Sequence, residues 1–287
     1  MIMLTFEGEI KLFRSKMIRV SDQMGNEIRL SRPAQRIVSL VPSQTELLFD
    51  LGASDAVVGV TKFCIHPADA VAHKSKIGGT KTLNIEKIRA LEPDLVIGNK
   101  EENVKEQIES LQTEFPVYMS DIVSIEEALG MIQDLGILCG KETEAIHLRR
   151  QVEQGFRELE QDQPAQGKLT AIYLIWENPI MAVGADNFID EMMKKAGLEN
   201  PLSGRIFLHP SSRYPEISVE QIAALNPDLL LLSSEPYPFK EKHVEKYRKL
   251  LPHIRIEQVD GEMFSWYGSS MLKAIPYLRA KLKSWQA

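Results

Sequence analysis

Cysteine is scarce in this 287-residue chain: only Cys64 and Cys139 occur. They lie in different segments and neither belongs to a CxxC pair, which argues against a disulfide framework or a thiolate zinc site. Long apolar runs are also missing, and nothing approaches the ~18 apolar residues of a transmembrane helix. The opening segment MIMLTFEGEIKLFRSKMIRV alternates apolar and charged residues, with Glu7, Glu9, Lys11 and Arg14 early in it. It lacks the apolar stretch of at least ~7 residues and the small-residue cleavage site of an export signal, so the chain is expected to be soluble and cytoplasmic as written. The formal charge of −6 offers no basic face for nucleic acid or an anionic membrane. No GxGxxG, P-loop, HExxH or GxSxG stands in a supporting strand–helix context, so the expectation is no catalysis.

What is present is a match of the chain to itself. TLNIEKIRALEPDLVIG (82–98) aligns without a gap on EISVEQIAALNPDLLLL (216–232), at an offset of 134 residues. Each copy reads as one helix running into one strand. Asn84 and Ser218 are good N-caps, and Ser218 with Gln221 spells a capping box. Ile85, Ile88 and Leu91 share one helical face, as do Val219, Ile222 and Leu225. Pro93 and Pro227 stop the helices. The runs LVIG and LLLL suit strands covered on both sides, as in a parallel sheet.

Around the repeat, residues 17–31 read as a hairpin about Met24-Gly25-Asn26. RIVSL (36–40) reads as a strand broken at Pro42-Ser43, with a helix from Thr45 to Gly52, and VVGVT (57–61) as the next strand. Ser124 and Glu127 cap a helix that runs to about Gly136. Residues 141–163 are rich in helix formers and charge, with Ile146, Val152, Phe156 and Leu159 at loosely helical spacing. A helix of that length is roughly 30 Å long, about the width of one lobe. TAIYLIW (170–176) opens a second half as RIVSL opens the first. The expected fold class is therefore α/β: an N-terminal lobe with a leading hairpin (1–140), a bridging helix (141–163) and a C-terminal lobe (164–287), both with mainly parallel sheets.

These stretches together resemble the class III substrate-binding proteins of ABC importers. The resemblance is carried by MIRVSDQMGNEIRL, RPAQRIVSLVPSQTELLFDLG, VVGVTKFCIHP and GGTKTLNIEKIRALEPDLVI. MAVGADNFIDEMMKKAGLEN and EISVEQIAALNPDLLLLSSEP continue it in the second half, so that it spans roughly residues 17–287. It implies two α/β lobes joined by one long helix and a small ligand in the cleft: cobalamin, haem, an iron–siderophore or a bare metal ion. The cobalamin-binding type looks nearest, through SQTELLFDLG and LNIEKIRAL. The implied molecule is a monomer without a cofactor of its own, whose ligand carries cobalt or iron and whose partner is an ABC permease dimer. Members are usually exported, which leaves open a cytoplasmic carrier, sensor or chelate-modifying enzyme on the same scaffold. The resemblance also implies that Glu86 and Glu220, one per lobe, meet permease arginines; the plain alternative is that each favours its helix dipole.

Ligands of parallel α/β sheets bind beyond the carboxyl ends of the strands, which singles out the segments that follow strands. Pro42, Ser43 and Thr45 stand at such a point, where a helix N-terminus attracts anions. Lys62, Phe63, Cys64 and His66 follow the next strand. In an extended segment Cys64 and His66 share a face and could touch a metal or a bulky ligand; a direct metal site needs a third ligand, for which His209 and His243 are candidates. Otherwise Cys64 is a small buried hydrophobe. In the second half Trp176, Arg213, Tyr214, Glu235, Tyr237, Trp266 and Tyr267 form aromatic walls with a few polar groups, as a large flat ligand requires. Trp176 and Phe264 read equally as core, and Arg213 and Lys62 either neutralise a ligand or are surface charges.

Overall fold

The runs that carry the repeat become the central strands of two separate sheets. The computed structural model describes residues 17–163, 167–203 and 213–286. In the first lobe β3 (Ile37–Ser39), β4 (Val57–Val60), β5 (Ser75–Lys76), β8 (Leu95–Asn99) and β9 (Val117–Ser120) form one parallel sheet in the order β5-β4-β3-β8-β9. In the second, β10 (Leu169–Glu177), β13 (Leu229–Ser233) and β14 (Arg255–Val259) run parallel. Two short strands extend β10, namely the antiparallel β11 (Ile180–Ala182) and the parallel β12 (Leu198–Glu199). Every residue of β8 and β13 is buried, as a run covered by helices on both faces demands.

The two copies share their framework down to single atoms. Asn84 Oδ1 accepts the Lys87 N–H at 3.0 Å to start α3 (Ile85–Ala90). Ser218 and Gln221 form the full capping box of α8 (Val219–Leu225). Each helix ends on a non-glycine residue in the left-handed region just before the proline: Glu92 and Asn226, both with φ 44°. The following aspartates pin the neighbouring strand. Asp94 accepts the N–H groups of Gln35 at 2.9 Å and Arg36 at 2.8 Å, and Asp228 accepts the N–H and hydroxyl of Thr170 at 2.7 and 2.8 Å.

The lobes are joined by α6 (Glu142–Gln161), whose buried stripe is Ala145, Leu148, Val152, Phe156 and Leu159. Ile146, expected on that stripe, is 45% exposed, because the 3.6-residue period places its neighbour Ala145 against the core. Gly155 lets α11 (Met271–Gln286) approach closely; a Cβ there would sit 2.5 Å from Ile275. The leading hairpin, β1 (Ile18–Ser21) with β2 (Glu27–Leu30), turns on Asp22, whose carboxylate accepts the Met24 and Asn26 N–H groups at 3.0 and 2.7 Å. Among the described residues no helix is long and apolar enough to cross a membrane.

Candidate functional site

The carboxyl-terminal tips of the two sheets face each other, and the segments beyond them meet across a cleft. Arg213 of the second lobe is held between Glu101 and Asp121 of the first, with Asp121 at 3.0 Å, and the Tyr214 hydroxyl donates to Glu101 at 3.0 Å. Burial pushes the Asp121 carboxyl up, but Lys100 and Arg213 together hold it below the usual range. His66 of the first lobe stands 3.6 Å from Glu262 and edge-on to Trp266 of the second, at 5.7 Å between centroids.

Large apolar side chains are exposed on both lobes: Phe63 at 51% and Ile65 at 50% in the first, and Trp176 at 39% in the second. Trp176 is therefore not core, whereas Phe264 is fully buried. Tyr237 packs edge-on against Trp176 at 5.5 Å and is backed by His243. That ring accepts the Lys240 N–H at Nδ1, at 2.8 Å, so in its neutral form Nε2–H faces the Tyr237 oxygen at 3.3 Å. His243 is thus engaged inside its own lobe and is not a metal ligand; His209 lies outside the described residues. Among the described residues no cluster of three or more histidine, cysteine or acidic side chains is arranged to hold a metal ion.

Carboxylates follow the ends of three strands. Glu235 accepts the Ser265 hydroxyl at 2.7 Å and the Trp266 indole N–H at 3.0 Å. Burial raises its carboxyl above the usual range, and these two donors offset only part of the rise. Burial likewise raises Glu262, with Glu235 adding to the effect and His66 opposing it. Glu102, which the sequence does not single out, is pushed up to about 7, first by burial and then by Glu235, against the pull of Lys81. Glu101 and Glu235 are equivalent by the repeat, since 101 and 235 differ by the same 134 positions. Carrying the alignment three residues past its apolar strands would have found them as a pair.

Three expectations need correction. The helix after β3 begins at Pro42, not Thr45: α1 spans Pro42–Asp50 with Val41 as its uncapped N-cap. Ser43 and Thr45 are buried, at 2% and 0% exposed, and Thr45 donates to Ser39 and Val41 within its own lobe. The α1 N-terminus does not open to the cleft, because Tyr267 and Gly268 lie across it. Gly268, with φ 89°, is a position where a side chain is strained, and a Cβ there would lie 3.3 Å from Leu47. Secondly, the Cys64 segment is a turn rather than extended, closed by the Cys64 N–H on the Thr61 carbonyl. Cys64 therefore points inward, 1% exposed, between the hydroxyls of Thr45 and Thr61 at 3.1 and 3.2 Å, and burial pushes its thiol up. Lys62, Phe63, Ile65 and His66 of that segment remain accessible. Thirdly, Arg213 is bound by two carboxylates and is not positioned as a receptor for ligand acids.

Tyr267 is a joint rather than a wall. It is 6% exposed, packs edge-on to Phe188 at 5.8 Å, and its hydroxyl lies beside those of Ser43 and Ser120 without full hydrogen-bond geometry. Next to it, Ser270 and Lys273 of the second lobe both bond Glu46 of α1.

Two α/β lobes with opposed strand tips, a single long connecting helix and a lined cleft between them define a bilobal solute-binding protein. The chain belongs to the periplasmic binding protein family, which residues 37–252 match. It is 31% identical over 206 residues to the vitamin B12-binding protein of Vibrio campbellii, covering 70% of this chain and 71% of that one. The fold is shared with the periplasmic vitamin B12 binding protein of Vibrio cholerae (TM-score 0.72, 23% identity, 88% of this chain and 98% of that one). It is also shared with the periplasmic haem-binding protein of Roseiflexus (TM-score 0.73, 21% identity, 88% and 100%). The two solved structures are named as periplasmic, and the expectation of a cytoplasmic protein finds no support among these relatives.

Proposed function

We propose that the chain captures a flat metal chelate, of the corrinoid or haem type, between its lobes and delivers it unchanged to an ABC importer outside the cytoplasm. The observation that carries this reading is the exposure of apolar side chains on both lobes, Phe63 with Ile65 and Trp176 beside Tyr237, together with the polar groups that the two lobes bring into contact; in this reading the former are the lips of the cleft and the latter its floor. A macrocycle presents two apolar faces and a polar rim, and such a cleft matches both. The names of the relatives support the ligand class. His66 is the accessible imidazole from which an axial bond to the metal of the ligand would come.

Glu86 and Glu220 occupy the same position of equivalent helices and are both exposed; Glu86 also pairs with Arg89 at 2.5 Å. In this reading they are the contacts for a two-fold permease, where charge pairs set register and on-rate. Reversing both charges should stop delivery while leaving ligand binding intact, and cell fractionation should find the protein outside the cytoplasm.

The test is titration with cobalamin, haemin and a ferric siderophore while following tryptophan fluorescence. Trp176 and Trp266 report from the cleft and Trp285 from the far end of α11. Quenching by one chelate at micromolar concentration or below is expected, and should weaken about tenfold in Trp176→Ala. Silence with all three would overturn the reading.

A further inference from the structure

We infer that the cleft selects its ligand by charge: Glu102 and Glu235 favour a chelate whose rim is neutral or cationic and rich in hydrogen-bond donors, and reject one whose rim carries carboxylates. The inference rests on the reading above and narrows it.

The first lobe brings Glu101 and Glu102 to the cleft just beyond β8, and the second brings Glu235 beyond β13 and Glu262 beyond β14. Among the described residues two of the cations near them are paired with carboxylates, and the two lysines that keep their charge are outnumbered by the acids. Arg213 lies between Glu101 and Asp121, His66 faces Glu262, Lys81 donates to the Glu101 carbonyl at 2.5 Å, and Lys62 lies over the Phe63 ring at 5.0 Å. The polar lining is therefore chiefly one of acceptors. Primary amides donate to such a lining, whereas a carboxylate meets an excess of like charge in a partly desolvated space, where repulsion is screened less than in water.

Glu102 registers this field. It is half-buried and faces Glu235 across the cleft, Glu101 beside it, Lys81 at the rim, and the hydroxyls of Tyr214 and Tyr267. Its carboxyl titrates at about 7. Raising the pH from 6 to 8 ionises it, strengthening binding of a cationic or donor-rich rim and weakening that of an anionic one.

The experiment compares two peripheries on each of two rings: cobinamide against cobyrinic acid, and haemin against the derivative with both propionates converted to amides. The amide form should bind at least tenfold more tightly than the acid on whichever ring the cleft accepts, and the ratio should grow between pH 6 and pH 8. In Glu102→Gln/Glu235→Gln, with folding checked by its melting curve, the ratio should fall to about threefold or less. Equal or tighter binding of the acid form would overturn charge selection and leave chelate capture standing. A ratio unchanged in the double variant would overturn the assignment to these residues. Failure of all four compounds to bind would overturn chelate capture, and this inference with it.

Discussion

The two copies of the repeated unit agree at their base and part company at their tips. At the base, Asn84 and Ser218 cap, Glu92 and Asn226 turn left-handed, and Asp94 and Asp228 hold the neighbouring strand. At the tips, Asn99 folds the first chain back on itself, its Oδ1 accepting the Glu101 and Glu102 N–H groups at 2.8 and 3.2 Å. Ser233, at the matching position, instead accepts the Tyr173 hydroxyl at 2.9 Å and leads into the aromatic stretch through Phe239. The contrast separates two demands on one sequence frame. Closing a helix onto a strand has one local solution, used twice; recognising a ligand from two sides needs two different surfaces, so the repeat ends where the cleft begins.

If that division holds, damage should scale with how many parts a residue joins. The largest loss is expected for Tyr267→Ala, which empties a fully packed joint between the lobes and should cost about 3 kcal/mol, read as a lowered denaturation midpoint. A change under ~1 kcal/mol would show that the lobes do not depend on this contact.

Next comes Glu102→Gln, a tip residue whose effect depends on pH. Because the folded carboxyl titrates at about 7, above its unfolded value of 4.5, its contribution to stability is present below about 4.5 and is lost as pH rises through about 7. Glutamine removes that loss. The variant should therefore be more stable than the parent by roughly 2 kcal/mol at pH 8 and equal to it at pH 4. Melting curves that stay parallel across this range would place Glu102 in open solvent.

The smallest effects should come from the base. Asp94→Ala and Asp228→Ala each remove charge-assisted hydrogen bonds at a partly exposed strand start, costing about 1–1.5 kcal/mol apiece. The sites lie in different lobes, so the double variant should show the sum to within ~0.5 kcal/mol. Markedly unequal single losses would break the equivalence of the two copies.

The base was legible in the sequence because its signals are local. Caps, Pro-Asp stops and unbroken apolar runs lie within 17 residues of one another, and their recurrence 134 positions later announces two lobes. The tips were legible only as segments. That a polar or aromatic residue follows a strand says it reaches the cleft end of the sheet, not whether its side chain turns inward, as Cys64 does, or outward, as Phe63 does. The joint was not legible at all. Glu46 meets Ser270 and Lys273 across more than 220 positions, and no periodicity couples residues so distant. The same holds for Arg213, whose partners Glu101 and Asp121 follow two strands of the other lobe.

The crossing of Tyr267–Met271 onto α1 has a consequence for how the chain is made. One apolar cluster runs without interruption from Val20 and Leu47 through α6 to Met271 and Trp285, beside a second cluster confined to the second half, so the first half does not close its interior alone. During synthesis the first 163 residues would present α1 with its covering strip still missing, and that lobe reaches its final packing only when the last helix arrives. Cleavage of the peptide within α6 should accordingly leave two fragments that stay together, and unfolding should proceed in one step rather than lobe by lobe.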